Sequence, residues 1–126
     1  MKQLTRGEME VMRVLWEHGE MKPSEIQERS SRPIKNSALR SYLTILVDKG
    51  HLTRRRNGKA YYYKAKTRRE SAFRKEFREL ADAFCGGSHG ALVCHIFKSE
   101  EISKEELQEL KQLAEEKIDE ENAKQP

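Results

Sequence analysis

The feature that most constrains this chain is a change of hydrophobic period at Gly50. Before it, apolar side chains recur every three or four residues; after it, residues 52–56 and 60–65 form two short β-prone runs. These runs are joined through Asn57-Gly58-Lys59, and Asn-Gly between two such runs is the strongest short-range hairpin signal. A two-stranded ribbon cannot stand alone, so the helical stretch ahead of it has to supply a partner surface. That stretch is well punctuated. Thr5-Arg6-Gly7-Glu8 fits a capping box, with Leu4 and Met9 placed as a hydrophobic staple. Met9, Met12, Leu15 and Trp16 then make one apolar face, and Gly19 ends the helix after His18. Pro23 suits the first turn of a short second helix reaching Arg29, with Ile26 facing in. Ser30-Ser31-Arg32-Pro33 reads as a turn. A third helix is expected over 36–49, stopped by Gly50, with Leu39, Tyr42, Leu43, Leu46 and Val47 as its buried stripe. Three helices followed by a hairpin is the plan of a winged helix-turn-helix.

The remainder is helical and patterned differently. Thr67-Arg68-Arg69-Glu70 is a second capping-box pattern, followed by Phe73, Phe77, Leu80, Ala81 and Phe84 on one face. Cys85-Gly86-Gly87-Ser88 breaks that helix, and a short apolar helix is expected over 90–97. Ser103-Lys104-Glu105-Glu106 is a third capping box, with Ile102 and Leu107 in staple positions and Leu110, Leu113, Ala114 and Ile118 continuing the stripe. Residues 120–126 read as frayed. The fold class is therefore mostly α with a small β-hairpin wing. A winged domain over 1–66 is followed by a three-helix domain over 67–126. Phe73, Phe77, Leu80, Phe84, Leu92, Phe97, Leu107, Leu110 and Leu113 are too apolar a set to leave wet, and homodimerisation is the expected way of burying them.

Charge separates the same two regions. From Arg29 to Arg69 there are thirteen Lys or Arg and one acid, Asp48; from Ser71 onward there are eight basic and thirteen acidic residues. A strongly cationic half asks for a polyanion, and nucleic acid leads. Charged residues make up 37% of the chain and hydrophobic ones 36%, and the longest apolar runs fall far below a membrane span's length. No membrane partner is expected. The first sixteen residues lack the apolar core of a signal peptide, and two cysteines fit a reducing compartment, so a cytoplasmic location is expected.

The chemistry-bearing residues lie on the third helix and the hairpin. Asn36, Ser37, Arg40, Ser41 and Thr44 occupy the outward helical face, and an α-helix fits the major groove, where base edges carry sequence information. Arg40 has the reach for a bidentate guanine contact. Arg54, Arg55, Arg56 and Lys59 suit phosphate or minor-groove contact, although strand alternation prevents all three arginines from pointing one way. Basic side chains also protect sheet edges, and outward helix residues are often simply solvated. Two of Tyr61, Tyr62 and Tyr63 are expected against the third helix and one beneath the wing; stacking on unpaired bases would instead suit single-stranded nucleic acid. A protein-interaction module on the winged-helix plan is the other rival. Cys85, His89, Cys94 and His95 form the one constellation with metal or thiol chemistry, but C-x3-H-x4-C-H matches no common zinc spacing. Apolar cysteines in a dimer core are the commoner case, so no cofactor or metal is expected. No phosphate loop, nucleophile elbow or paired carboxylate points to an enzyme.

Leu4-Thr5 with Glu8, Val11-Met12, Leu15-Trp16, then Leu46-Val47-Asp48-Lys49-Gly50 and Ile102-Ser103-Lys104-Glu105-Glu106-Leu107, resemble the penicillinase/methicillin repressor family of winged-helix transcriptional regulators. The resemblance covers nearly the whole chain in order and spacing. It implies a homodimer on palindromic duplex operators, repression of transcription, and release by an inducer or antirepressor. It carries Arg40 over as a base-reading residue. Where β-lactam-responsive members carry a cleavable Asn-Phe pair this chain has His95-Ile96, and its last residues lack the Cys-x-Cys pairs of copper-responsive members. Neither switch is therefore expected here.

Overall fold

The structure, a computed structural model, describes residues 4–125. The chain divides into two compact units, Met1–Glu76 and Phe77–Pro126. In the first, α1 (Arg6–His18), α2 (Pro23–Arg29) and α3 (Asn36–Asp48) precede an antiparallel hairpin of β1 (Leu52–Asn57) and β2 (Ala60–Ala65). The boundary then falls inside α4 (Arg69–Cys85), and α5 (His89–Ser99) and α6 (Lys104–Lys124) complete the second unit.

The first unit forms as the local signals dictate. The Thr5 hydroxyl accepts the Glu8 N–H at 3.3 Å while Glu8 Oε1 accepts the Thr5 N–H at 3.0 Å, closing the capping box of α1. Gly19 ends α1 at φ 84°, a conformation that side chains bearing a Cβ rarely adopt. Val11, Met12 and Leu15 of α1 meet Ile26 of α2, Leu39, Leu43 and Leu46 of α3, Leu52 of β1 and Tyr63 of β2 in one buried core. Pairing runs from Leu52↔Ala65 to Asn57↔Ala60, so Leu52 and Tyr63 share the core-facing side of the ribbon. Met21 adds a one-residue bridge, exchanging both backbone hydrogen bonds with Tyr63 at 3.1 and 2.9 Å.

Polar staples fix the helices around this core. Glu8, almost wholly buried, accepts from the Lys49 ammonium at 2.8 Å and so ties the start of α1 to the end of α3. Burial alone pushes the Glu8 carboxyl up, but hydrogen bonds from Lys49 and Thr5 and the charge of Lys49 outweigh it and hold it below its usual value. Glu10 accepts from Arg13 at 2.7 Å and from the Ser31 N–H and hydroxyl at 2.8 and 2.9 Å, fastening the α2–α3 turn to α1. Chiefly through the Arg13 hydrogen bonds, its pKa falls to about 2. Trp16 Nε1 donates to the Thr67 carbonyl at 2.9 Å, holding the exit of the hairpin.

Three boundaries differ from expectation. Thr67 does not cap α4: the helix begins at Arg69, its Arg68 carbonyl accepts the Ala72 N–H, and the Thr67 hydroxyl is bonded to the buried His51 Nδ1 at 2.8 Å. A tertiary partner has claimed the side chain a capping box would use. The fifth helix is longer than the apolar run, covering His89–Ser99, because Ser88 caps it by accepting the Ala91 N–H at 3.1 Å. Residues 120–124, expected to fray, continue α6 to Lys124; the Ser103–Glu106 capping box, a Glu/Lys/Ala-rich composition and Lys124 in the last turn all favour helix there. Pro126 lies outside the described residues. In the second unit, Gly86 (φ 55°) and Gly87 (φ 85°) make the break between α4 and α5, and Ala81 and Leu92 are its buried apolar residues.

Candidate nucleic-acid interface

Burying Leu39, Leu43 and Leu46 fixes which side of α3 faces out. Asn36, Ser37, Arg40, Ser41 and Thr44 are all exposed, as is Ile45. Successive residues turn by 100°. Ser37 and Ser41 therefore lie along the middle of the outward face, with Arg40 and Thr44 toward one flank and Ala38 toward the other. The Thr44 hydroxyl donates to the Arg40 carbonyl at 3.0 Å and keeps its lone pairs for an incoming donor.

The flank carrying Arg40 and Thr44 meets the hairpin. A groove there is lined by Pro23, Arg40, Thr44, Lys59, Tyr61 and Tyr63. The arginines of β1 divide as alternation requires. Arg54 and Arg56 share the face of Tyr61, with guanidinium carbons 4.6 and 5.9 Å from its ring centre, and Arg56 Nε donates to the Gly58 carbonyl at 3.1 Å. Arg55 lies on the opposite face, over Tyr62 at 5.3 Å, and makes a bidentate pair with Glu20 at 2.8–3.1 Å. That hydrogen-bonded pair lowers the Glu20 pKa and raises that of Arg55. Tyr63 is buried, Tyr62 half-buried and Tyr61 exposed under its two arginines.

Sequence reasoning missed Glu20. Its place follows from the Met21–Tyr63 bridge, and a one-residue bridge leaves no periodicity to read. A weak signal existed in the placement of the one acid between Gly19 and Met21, opposite a run of three arginines.

The residues expected to dimerise, Phe73 of the first unit and the others of the second, are unevenly exposed. Leu92 is buried and Phe77 and Leu110 half-buried, whereas Phe84 is 78% and Phe73 67% exposed, and Leu80, Phe97, Leu107 and Leu113 are also exposed. Leu80, Phe84, Ala91, His95 and Ile96 line an open apolar groove. The His89 ring meets Phe77 edge-on at 5.4 Å, Cys85 is half-buried and Cys94 exposed. Among the described residues no three His, Cys, Asp or Glu side chains stand together as a metal-binding group, and no helix is long and apolar enough to cross a membrane.

Comparison with known proteins identifies a family. Residues 4–116 match the family model described as Penicillinase repressor. The chain is 25% identical over 116 residues to the penicillinase repressor of Bacillus licheniformis, covering 90% of this chain and 91% of that protein. It is 21% identical over 113 residues to the penicillinase repressor of Staphylococcus aureus, covering 88% and 90%. An uncharacterized 16.5 kDa protein in the ptsI 3′ region of Latilactobacillus sakei is 24% identical over 113 residues, covering 88% and 77%. With the match spanning the winged unit and most of the helical one, the chain belongs to the penicillinase repressor family.

Proposed function

We propose that this chain is a homodimeric transcriptional repressor, not an enzyme, that reads palindromic duplex DNA. In this reading α3 enters the major groove, with Arg40 on a base edge and Asn36, Ser37, Ser41 and Thr44 on bases or flanking phosphates. Arg54, Arg56 and Lys59 of the wing hold the backbone or minor groove, and Arg55 supports the wing through Glu20. Residues 1–66 form the reading head, and the region from 67 onward pairs two copies.

The observation that carries the reading is the exposed polar face of α3 set beside a wing whose Lys59 and Tyr61 line the same groove as Arg40 and Thr44, with the Arg54 and Arg56 guanidinium groups over the Tyr61 ring. Membership of a repressor family supports it, as does the name of the two relatives. The tyrosines favour duplex over single-strand binding: Tyr63 is spent on the core, Tyr61 lies by the guanidinium groups of Arg54 and Arg56, and half-buried Tyr62 lies by that of Arg55.

Arg40→Ala tests the reading. It is expected to cost about 1–3 kcal/mol on the selected operator and to relax one base position. Equal weakening on operator and random duplex would refute base reading by Arg40.

A further inference from the structure

We propose that Arg6, Arg32 and Lys35 form a second phosphate-binding rim, on the flank of α3 away from the wing. The inference rests on the duplex-reading proposal above and extends it to the other DNA strand. A helix lying in the major groove has a phosphate backbone on each side, and the groove is about 12 Å wide. The wing and its groove border α3 on the side of Arg40 and Thr44. A separate depression borders the Ala38 side, lined by Arg6, Glu10, Arg32, Lys35, Ala38 and Tyr42.

Three separate contacts assemble this rim. Gly7 permits the first: a Cβ built there would overlap the Tyr42 ring, so only glycine lets the first turn of α1 lie so close against α3 and bring Arg6 to its edge. The Glu10–Ser31 hydrogen bonds provide the second, fixing the turn that presents Arg32. The third is the Gln27 amide, which donates to the Ile34 carbonyl at 2.7 Å and holds the segment entering α3 beside Lys35. The rim is positioned by structure, not merely rich in charge.

Its electrostatics suit an anion. Arg6, Arg32 and Lys35 are exposed, and none makes an ion pair among the described residues. Glu10 is the acid in the lining, and its oxygens are already taken by Arg13 and Ser31. Cations on both flanks of α3 suit the two phosphate strands that border a major groove, an arrangement that neither a peptide nor a membrane surface requires.

The test is the salt dependence of binding to a random-sequence duplex by the full-length protein. Each phosphate contact contributes about 0.9 to the slope of log K against log salt. Arg32→Gln with Lys35→Gln is expected to lower the slope by about two per engaged protomer, and Arg6→Gln by about one. Lys111→Gln with Lys117→Gln on α6 removes the same net charge and is expected to leave the slope unchanged. Arg54→Gln on the wing separates the two proposals. A slope lowered by Arg54→Gln but not by the rim variants would overturn the rim and leave duplex reading intact. A slope moved by neither would overturn both. Equal loss from the α6 control would reduce the rim to a net-charge effect and overturn it.

Discussion

Phe84 gives the sharpest test of the second unit. It is 78% exposed at the end of α4, bordering the groove with Leu80, Ala91, His95 and Ile96. Fully burying a phenylalanine side chain is worth about 1.5–3 kcal/mol, so covering what Phe84 leaves exposed would contribute about 1–2 kcal/mol per copy. A two-fold interface contains the residue twice, giving about 2–4 kcal/mol per dimer. At about 1.4 kcal/mol per tenfold, Phe84→Ala should weaken the dimer about 30- to 700-fold. Sedimentation equilibrium over a concentration series reads that constant directly. Thermal unfolding of the same variant should show the winged unit intact, since Phe84 lies outside its core. Phe77 is a poorer choice, because its ring already packs on His89 and its loss would disturb the unit itself. An unchanged dimer constant for Phe84→Ala would refute the claim that this stripe is covered by a second copy.

Other outcomes follow from the winged unit. Arg55→Ala should leave the salt slope of duplex binding nearly unchanged because Glu20 already occupies that guanidinium, whereas Arg56→Ala should lower it by about 0.9 per engaged protomer; equal effects would mean that the Glu20 pair opens on DNA. Leu46→Ala, at a fully buried position, should cost about 2–5 kcal/mol in denaturant unfolding, and a loss under about 1 kcal/mol would contradict the packing described. Glu10 makes stability pH-dependent in a defined direction: its folded pKa is depressed from 4.5 to about 2, so its contribution is complete above about pH 4.5 and disappears as the pH falls toward 2. Glu10→Gln should flatten that part of the acid-unfolding curve, and an unaltered curve would remove Glu10 as its source.

Much of the winged unit was legible because each element announces itself locally. Thr5 and Glu8 close their box, Gly19 and Gly50 stop their helices, and Asn57-Gly58 turns the ribbon in the register that puts Leu52 and Tyr63 inward. The outward face of α3 followed from its apolar stripe alone. Contacts between elements were not legible. The pairing of Glu20 with Arg55, of Glu8 with Lys49 and of Glu10 with Ser31 joins residues 35, 41 and 21 positions apart, and no spacing rule links them. Alternation indicated that Arg54, Arg55 and Arg56 must split, but only the bridge at Met21 decides which face receives an acid. Thr67 shows the converse failure: a correct local pattern was overridden by His51, a partner sixteen residues away. In the second unit the stripe was readable, yet which members it buries within the chain, Leu92 above all, depends on how α4 and α5 fold against each other.

In the proposed function, two copies of this chain read duplex DNA through α3 and the wing. Selection of bound fragments from a random duplex pool, with the single-stranded pool as competitor, tests it most directly. Enrichment of one two-fold-related motif is expected, with half-sites about one helical turn, 10–10.5 bp, or a multiple apart, bound by one dimer. Recovery of single strands in preference to duplex, or of duplexes with no common motif, would contradict it.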